Sequence, residues 1–383
     1  MKKIATPYYI VHEEKLRRNL SLISSVSERA GVKIIMAFKA NALWKTFGII
    51  SEYCSSSTAS SLNEMRLSLE FLGNDVHSYC PVYTEDTIDE FIEGSSHIVF
   101  NSVAQYEKFK PRVDAYNATH PAEKRVSCGL RVNPESSVID TDIYNPCMPG
   151  SRFGVTADVL DGRLPEGLEG LHFHCLCEST SYDLETVLNA MEEKFGDLLG
   201  QVRWLNMGGG HLMTREGYDV EHLIALLRSF KERHPNLELI MEPGSAFTWR
   251  TGELVSTVLD VVENQGIKTA IIDASFACHM PDCLEMPYKP AIESALKEVD
   301  PSKPTYRIGG NSCLSGDFIG DWSFEKPLQP GDTIVFEDMN HYTTVKTHMF
   351  NGIQHPSFVL KRMDGTVELL REFTYEDYRS RMD

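Results

Sequence analysis

The chain has 383 residues, of which 42% are hydrophobic and 24% charged, a profile that excludes a disordered or fibrous protein and leaves room for two domains, or one barrel with a large addition. Its 37 lysines and arginines face 55 aspartates and glutamates, and the net charge of −18 disfavours nucleic acid and anionic membrane as partners while attracting cations. Apolar runs fall short of a membrane span, Met1-Lys2-Lys3-Ile4-Ala5-Thr6-Pro7 lacks the apolar core of a signal peptide, and nine scattered cysteines point to a reduced, cytoplasmic setting.

Taken in order, residues 6–11 read as a short strand and 13–30 as a helix, with Leu16, Leu20, Ile23 and Val26 near helical spacing. From Val32 the pattern alternates. Apolar strand candidates at residues 34–37, 76–80, 97–100, 129–132, 170–174, 204–207 and 237–241 enclose amphipathic stretches at 61–72, 85–92, 103–115, 184–195 and 220–234. Such alternation predicts right-handed βα units and a parallel sheet, and seven or eight units over roughly 220 residues match an α/β (β/α)8 TIM barrel, placed at 12–245. After about Gly244 short strands dominate, at 253–262, 269–273, 305–309, 333–336, 357–361 and 366–371. Gly331-Asp332 and Asp364-Gly365 supply turns between them, so 246–383 reads as a β domain.

Lys39 follows the apolar run from Val32 to Phe38, at the carboxyl end of the first barrel strand. Burial at a barrel mouth drives an amine toward its neutral form, and a neutral amine forms a Schiff base with an aldehyde cofactor. Lys39 is therefore a candidate anchor for pyridoxal 5'-phosphate, against the plainer alternative of a solvated strand-end lysine. Gly208-Gly209-Gly210 ends a later strand, where backbone N–H groups can approach a phosphate; alone it is equally a flexible turn. Glu242-Pro243-Gly244 ends the next strand, and a carboxylate there can pair with a protonated pyridine nitrogen.

In His172-Phe173-His174-Cys175-Leu176-Cys177-Glu178 the histidines and cysteines fall on opposite strand faces, which argues against one zinc site; no metal is expected. His174 is placed against the face of an aromatic cofactor. Cys313, in the glycine-rich Gly309–Asp317 loop, is either a proton donor or an inert thiol. Asp273, Asp282, Glu285 and Tyr288 make an acidic, aromatic stretch suited to a polyamine, or else simply solvated.

These motifs, in this order, resemble the fold-type III pyridoxal phosphate enzymes, the alanine racemase and ornithine/diaminopimelate decarboxylase superfamily. Ala37-Phe38-Lys39-Ala40-Asn41, Ser151-Arg152-Phe153-Gly154, His174, Gly208-Gly209-Gly210, Glu242-Pro243-Gly244, Cys313 and Tyr342 span nearly the whole chain. Asp273-Ala274-Ser275-Phe276, His279-Met280-Pro281-Asp282, Glu285-Met286-Pro287-Tyr288 and Cys313-Leu314-Ser315-Gly316-Asp317 are most similar to the carboxynorspermidine/carboxyspermidine decarboxylases within it.

The resemblance implies that residues 1–11 join the β domain and that the protein is a homodimer, Cys313 reaching the partner's site. It implies Lys39 as the Schiff-base lysine, His174 stacked on the ring, Glu242 at the pyridine nitrogen, and Gly208, Gly209, Gly210 and Tyr342 around the phosphate. Asp273, Glu285 and Asp317 would meet the ammonium groups of a carboxylated polyamine, with Cys313 protonating the α-carbon after CO2 leaves. Two departures stand out. Leu176-Cys177-Glu178 replaces the usual Gly-Ser after the stacking histidine, and Ser245 replaces an arginine after Glu-Pro-Gly. Decarboxylases of diaminopimelate, ornithine or arginine, and a non-catalytic cofactor-binding homologue, are the rival expectations.

Overall fold

A computed structural model describes residues 4–139 and 144–383; residues 1–3, the start of the amino-terminal segment read above, lie outside it. The chain divides into two units, Arg18–Phe247 and Met1–Arg17 with Thr248–Asp383.

The first unit is a parallel ring of β2 (Lys33–Ile34), β3 (Met36–Ala37), β4 (Ser56–Ala59), β5 (Asp75–Tyr79), β6 (His97–Phe100), β7 (Ser127–Arg131), β8 (Gly170–His172), β9 (Trp204–Asn206) and β10 (Glu238–Met241). β2 and β3 are halves of one stave: Ile35 between them donates its N–H to Met241 O at 2.9 Å. β2 pairs with β10 and β3 with β4, so the barrel closes as eight staves. The helices between strands begin where side chains satisfy free N–H groups: Ser61, Ser102, Thr180 and Asp219 cap Leu62–Phe71, Val103–Thr119, Ser181–Leu199 and Val220–Arg233.

Strand side chains alternate between the two faces of the barrel wall. Ile35, Val99, Trp204 and Ile240 form an apolar plug inside it. Trp204 fits because its neighbours are glycines; a Cβ at Gly129 or Gly170 would lie 2.2 or 2.0 Å from the indole. Two residues further along the strands stand Arg131, His172, Asn206 and Glu242, at the carboxyl ends that carry function in this architecture.

The strand β4 has no counterpart among the apolar runs. Its sequence, Ser56-Ser57-Thr58-Ala59, is polar, yet the strand is largely buried. Ser57 bonds Ser68 Oγ at 2.8 Å and Ser56 bonds Asp75 Oδ2 at 2.7 Å, so each hydroxyl is satisfied within the fold.

The second unit is a sheet ordered β14 (Phe318–Ser323), β13 (Thr305–Gly309), β12 (Ile267–Ile272), β11 (Gly252–Asn264), β1 (Tyr8–His12), β16 (Ser357–Lys361), β17 (Val367–Arg371), with β15 (Thr333–Phe336) also on β11. The amino-terminal strand β1 runs antiparallel to β11 and parallel to β16, so it joins the carboxyl-terminal sheet. Tyr9, Leu254, Ile272, Phe276, Trp322 and Phe336 anchor its core. β14 escapes detection in the sequence because Gly320 and Asp321 break its apolar alternation. No helix among the described residues is long and apolar enough to cross a membrane.

Candidate active site

Lys39 lies in the turn that ends the first stave. Gly244 packs against that turn, where a Cβ would fall 2.5 Å from the Ala40 methyl, so the Glu242-Pro243-Gly244 segment is drawn up beside the lysine. The side chain of Lys39 is open, but open into a cavity walled by protein, and it is the surrounding protein that desolvates the amine. Burial pushes its pKa down, with Arg131 adding to the effect and Glu242 opposing it.

Lys39 Nζ is 3.4 Å from His174 Nε2. On the other side of that ring, Gly209 N–H donates to Nδ1 at 2.7 Å. A ring nitrogen that accepts carries no proton, so the hydrogen-bond pattern assigns the imidazole proton to Nε2, facing the lysine. Burial, then the nearby Lys39 and Arg131, holds His174 well below the usual histidine range. Nε2–H therefore faces the Lys39 amine, whose pKa burial lowers.

Glu242 is buried. Asn206 Nδ2 donates to its Oε1 at 2.7 Å, and His172 Nε2 stands 3.7 Å from its Oε2. His172 is 1% exposed, with no hydrogen-bond partner on either nitrogen among the described residues, and burial keeps it well below the ordinary range. Arg131 lies 4.7 Å from the Tyr79 ring and 4.4 Å from Phe153, and donates to His174 O at 3.3 Å. Arg152 covers Phe153 as well, at 4.2 Å.

Lys39, His172, His174 and Glu242 line a cavity of about 660 Å³, in whose wall Glu242 is the one carboxylate among the described residues, beside the guanidinium groups of Arg131 and Arg152. An anionic ligand with one protonated ring nitrogen suits that charge pattern.

The three glycines are required by close backbone approach. A Cβ at Gly208 would lie 2.4 Å from Phe173 O, at Gly209 2.6 Å from Glu242 O, and at Gly210 2.2 Å from Leu176. Gly208 N–H is bound by Asn206 Oδ1 at 2.9 Å and Gly209 N–H by His174, so two of the three amides serve the site's own framework. The strand-end turn thus holds His174 and Glu242 in place. Arg131, His172 and Asn206 were not singled out as site residues from the sequence; the signal available was the two-residue period shared with Glu242 on neighbouring strands.

The remaining expected site residues belong to the other unit. Cys313 is exposed on the 310–317 loop, its N–H bonded to Asn351 Oδ1 at 2.8 Å. Asp317 is 4% exposed and fixes that loop, accepting from Ala277 N–H at 2.9 Å, Ser312 N–H at 3.2 Å and Ser312 Oγ at 2.6 Å. Asp273 accepts from Thr6 Oγ1, Ser256 Oγ and Thr257 N–H. Both carboxylates are thus engaged in holding the chain. Glu285 and Asp282 bracket Lys346 Nζ at 2.5 and 2.6 Å, a cation supplied by the chain itself. The Lys346 ammonium lies 5.7 Å from the Tyr342 ring, and Tyr342 sits at φ +49.

Away from the site, at the start of β5 and β6, Asp75, His77 and His97 place ligand-type atoms within 4.8 Å of one another. Lys33 Nζ already occupies that cluster, 2.7 Å from Asp75 Oδ2 and 3.2 Å from His77 Nε2.

A closed parallel barrel with a lysine at a strand end, together with a sheet domain that captures the amino terminus, fits the architecture of a pyridoxal-dependent decarboxylase. The family model described as "Pyridoxal-dependent decarboxylase, C-terminal sheet domain" matches residues 53–340, and the chain belongs to that family. It is 45% identical, over 100% of this chain and 96% of the relative, to the carboxyaminopropylagmatine decarboxylase of Synechocystis. It is 40% identical, over 99% of both chains, to the carboxynorspermidine/carboxyspermidine decarboxylase of Campylobacter jejuni. The crystal structure of carboxynorspermidine decarboxylase complexed with norspermidine from Campylobacter jejuni superposes with a TM-score of 0.89 at 39% identity, over 99% of this chain and 100% of that one. Diaminopimelate decarboxylase from Helicobacter pylori shares the fold at 18% identity and a TM-score of 0.81, over 99% and 98%.

Proposed function

We propose that the chain removes the α-carboxylate of carboxynorspermidine or carboxyspermidine in polyamine biosynthesis, with pyridoxal 5'-phosphate held by Lys39, His174, Glu242, Gly208, Gly209, Gly210 and Tyr342. The observation that carries the reading is the Lys39–His174 contact beside a buried carboxylate, in a chain 40% identical to an enzyme of that name. When bound, the cofactor supplies an aldehyde that takes up amines and a ring that draws electrons from the breaking bond.

The chain's own groups account for the rest. Burial lowers the pKa of Lys39, which favours the free amine that exchanges with the substrate amine. His174 keeps its proton on Nε2, presenting a flat neutral ring to the cofactor. Glu242 has Oε1 bound by Asn206, which leaves Oε2 for a protonated ring nitrogen. Cys313 Sγ is proposed to hand a proton to the α-carbon, within a homodimer whose partner site it enters; its exposure on a braced loop supports this.

Glu285 is the acidic group we propose for a substrate ammonium, since Lys346 offsets only one of the two charges on Asp282 and Glu285. The carboxylates of Asp273 and Asp317 are less available, being engaged by their own unit. Nine free thiols fit a reduced cytoplasmic setting.

A second reading is favoured by the 45% identity to a carboxyaminopropylagmatine decarboxylase. That substrate ends in a guanidinium where the carboxylated polyamines end in an ammonium, so the two readings share the chemistry and differ in the tail. CO2 release from carboxynorspermidine, carboxyspermidine, carboxyaminopropylagmatine, diaminopimelate and ornithine, compared as kcat/KM, decides between them. Preference for the first two supports the proposal and preference for the third supports the second reading. Preference for an amino acid defeats both, and release from none favours a non-catalytic cofactor-binding homologue.

A further inference from the structure

Asn206 is 0% exposed at the end of β9, and its side-chain amide is engaged at both ends. Nδ2–H donates to Glu242 Oε1 at 2.7 Å, and Oδ1 accepts Gly208 N–H at 2.9 Å. The two contacts fix the amide's orientation, because a flip would set acceptor against acceptor and donor against donor. A donor held against a buried carboxylate satisfies one of its oxygens and fixes its direction. One side chain also ties that carboxylate to the first amide of the glycine turn, so it sets the spacing between the two. The titratable groups that face Glu242 are His172, 3.7 Å from Oε2, and the Lys39 amine. Neither replaces the bond that Asn206 makes to Oε1.

We propose that Asn206 is a positioning residue for the cofactor: through Oε1 it holds Glu242 aimed at the ring nitrogen, and through Gly208 it fixes the glycine turn relative to that carboxylate. The inference rests on the reading that the cavity holds pyridoxal phosphate. Replacement by aspartate keeps the shape and the Gly208 contact but removes the donor and sets a second carboxylate against Glu242. Adding Glu242→Gln restores a hydrogen bond of reversed direction, glutamine donating to aspartate, without restoring the carboxylate at 242.

The test uses the full-length wild type, Asn206→Asp, Glu242→Gln and the Asn206→Asp/Glu242→Gln double variant. Each is titrated with pyridoxal 5'-phosphate, followed by the visible absorption of the bound cofactor and by the unfolding temperature without cofactor. The single Asn206→Asp change is expected to weaken cofactor binding by about tenfold or more and to shift the absorption band. The double variant is expected to regain the wild-type unfolding temperature while keeping the absorption of Glu242→Gln.

Wild-type affinity and absorption in Asn206→Asp overturn the proposal, as does a double variant that regains wild-type absorption. If Asn206→Asp does not fold, the double variant alone decides: Glu242→Gln absorption with a wild-type unfolding temperature supports the proposal, and any other combination overturns it. A wild-type protein that takes up no cofactor overturns the reading beneath the proposal, and with it the proposal, an outcome distinct from failure of the variants.

Discussion

At Lys39, burial and Arg131 disfavour the charged amine while Glu242 favours it, and burial prevails. The consequence is testable without turnover. Incubation with pyridoxal 5'-phosphate at pH 7, borohydride reduction and peptide mapping is expected to label Lys39 ahead of the surface lysines, whose amines stay protonated. Equal labelling of all lysines would contradict the lowered pKa of Lys39. Lys39→Ala is expected to lower CO2 release by about 10³-fold or more, ~4 kcal/mol in the barrier; release at the native rate would end the lysine's assignment. Glu242→Gln removes a preorganised charge and is expected to cost about 10²-fold in kcat while the protein stays folded.

Elements carry a different kind of constraint. β7, β8 and β9 meet through one indole, and the two glycines facing Trp204 exist to admit it. Gly170→Ala is expected to destabilise by about 1–3 kcal/mol through overpacking, seen as a lower unfolding temperature. Adding Trp204→Phe should recover part of that loss, a coupling that independent sites would not show. On the second unit, the 310–317 loop is held from below by Asp317, in the space left by Gly310, where a Cβ would lie 2.2 Å from the carboxylate. Asp317→Ala frees the loop that carries Cys313. The expected result is a fall in kcat with cofactor uptake unchanged; parallel loss of cofactor would mean that the loop matters for binding instead.

Across the whole molecule, histidines buried as neutral rings make stability depend on pH. Burial lowers His172 well below its ordinary value, His211 to about 4 and His279 to about 3, so both units contain such a group. The unfolded chain takes up protons near pH 6.5, whereas the folded rings refuse them until the lower values. Their stabilisation is therefore complete above about pH 6.5 and declines as pH falls toward the folded values, with each ring contributing a slope of about 1.4 kcal/mol per pH unit. Denaturant unfolding between pH 7.5 and 5 is expected to show this decline, and a curve flat below pH 6.5 would refute it.

Much of this protein is legible in its sequence, wherever one local rule decides the outcome. Apolar runs alternating with amphipathic stretches specify βα units, because a parallel strand buried on both faces has to be apolar and its helix has to cover it. Lys39, Gly208-Gly209-Gly210 and Glu242 fall at strand ends for the same local reason. The polar strand Ser56–Ala59 was not legible, since its hydroxyls are satisfied by Ser68 and Asp75, partners that only the folded chain supplies. Nor could the sequence assign work to the carboxylates. Asp273, Glu285 and Asp317 look alike as letters, yet one braces a strand pair, one meets Lys346 and one fixes the Cys313 loop. Tertiary structure also settled the tautomer of His174 and brought Asn206 between Glu242 and Gly208, because hydrogen bonds between distant strands depend on distances of a few tenths of an ångström that no residue pattern encodes.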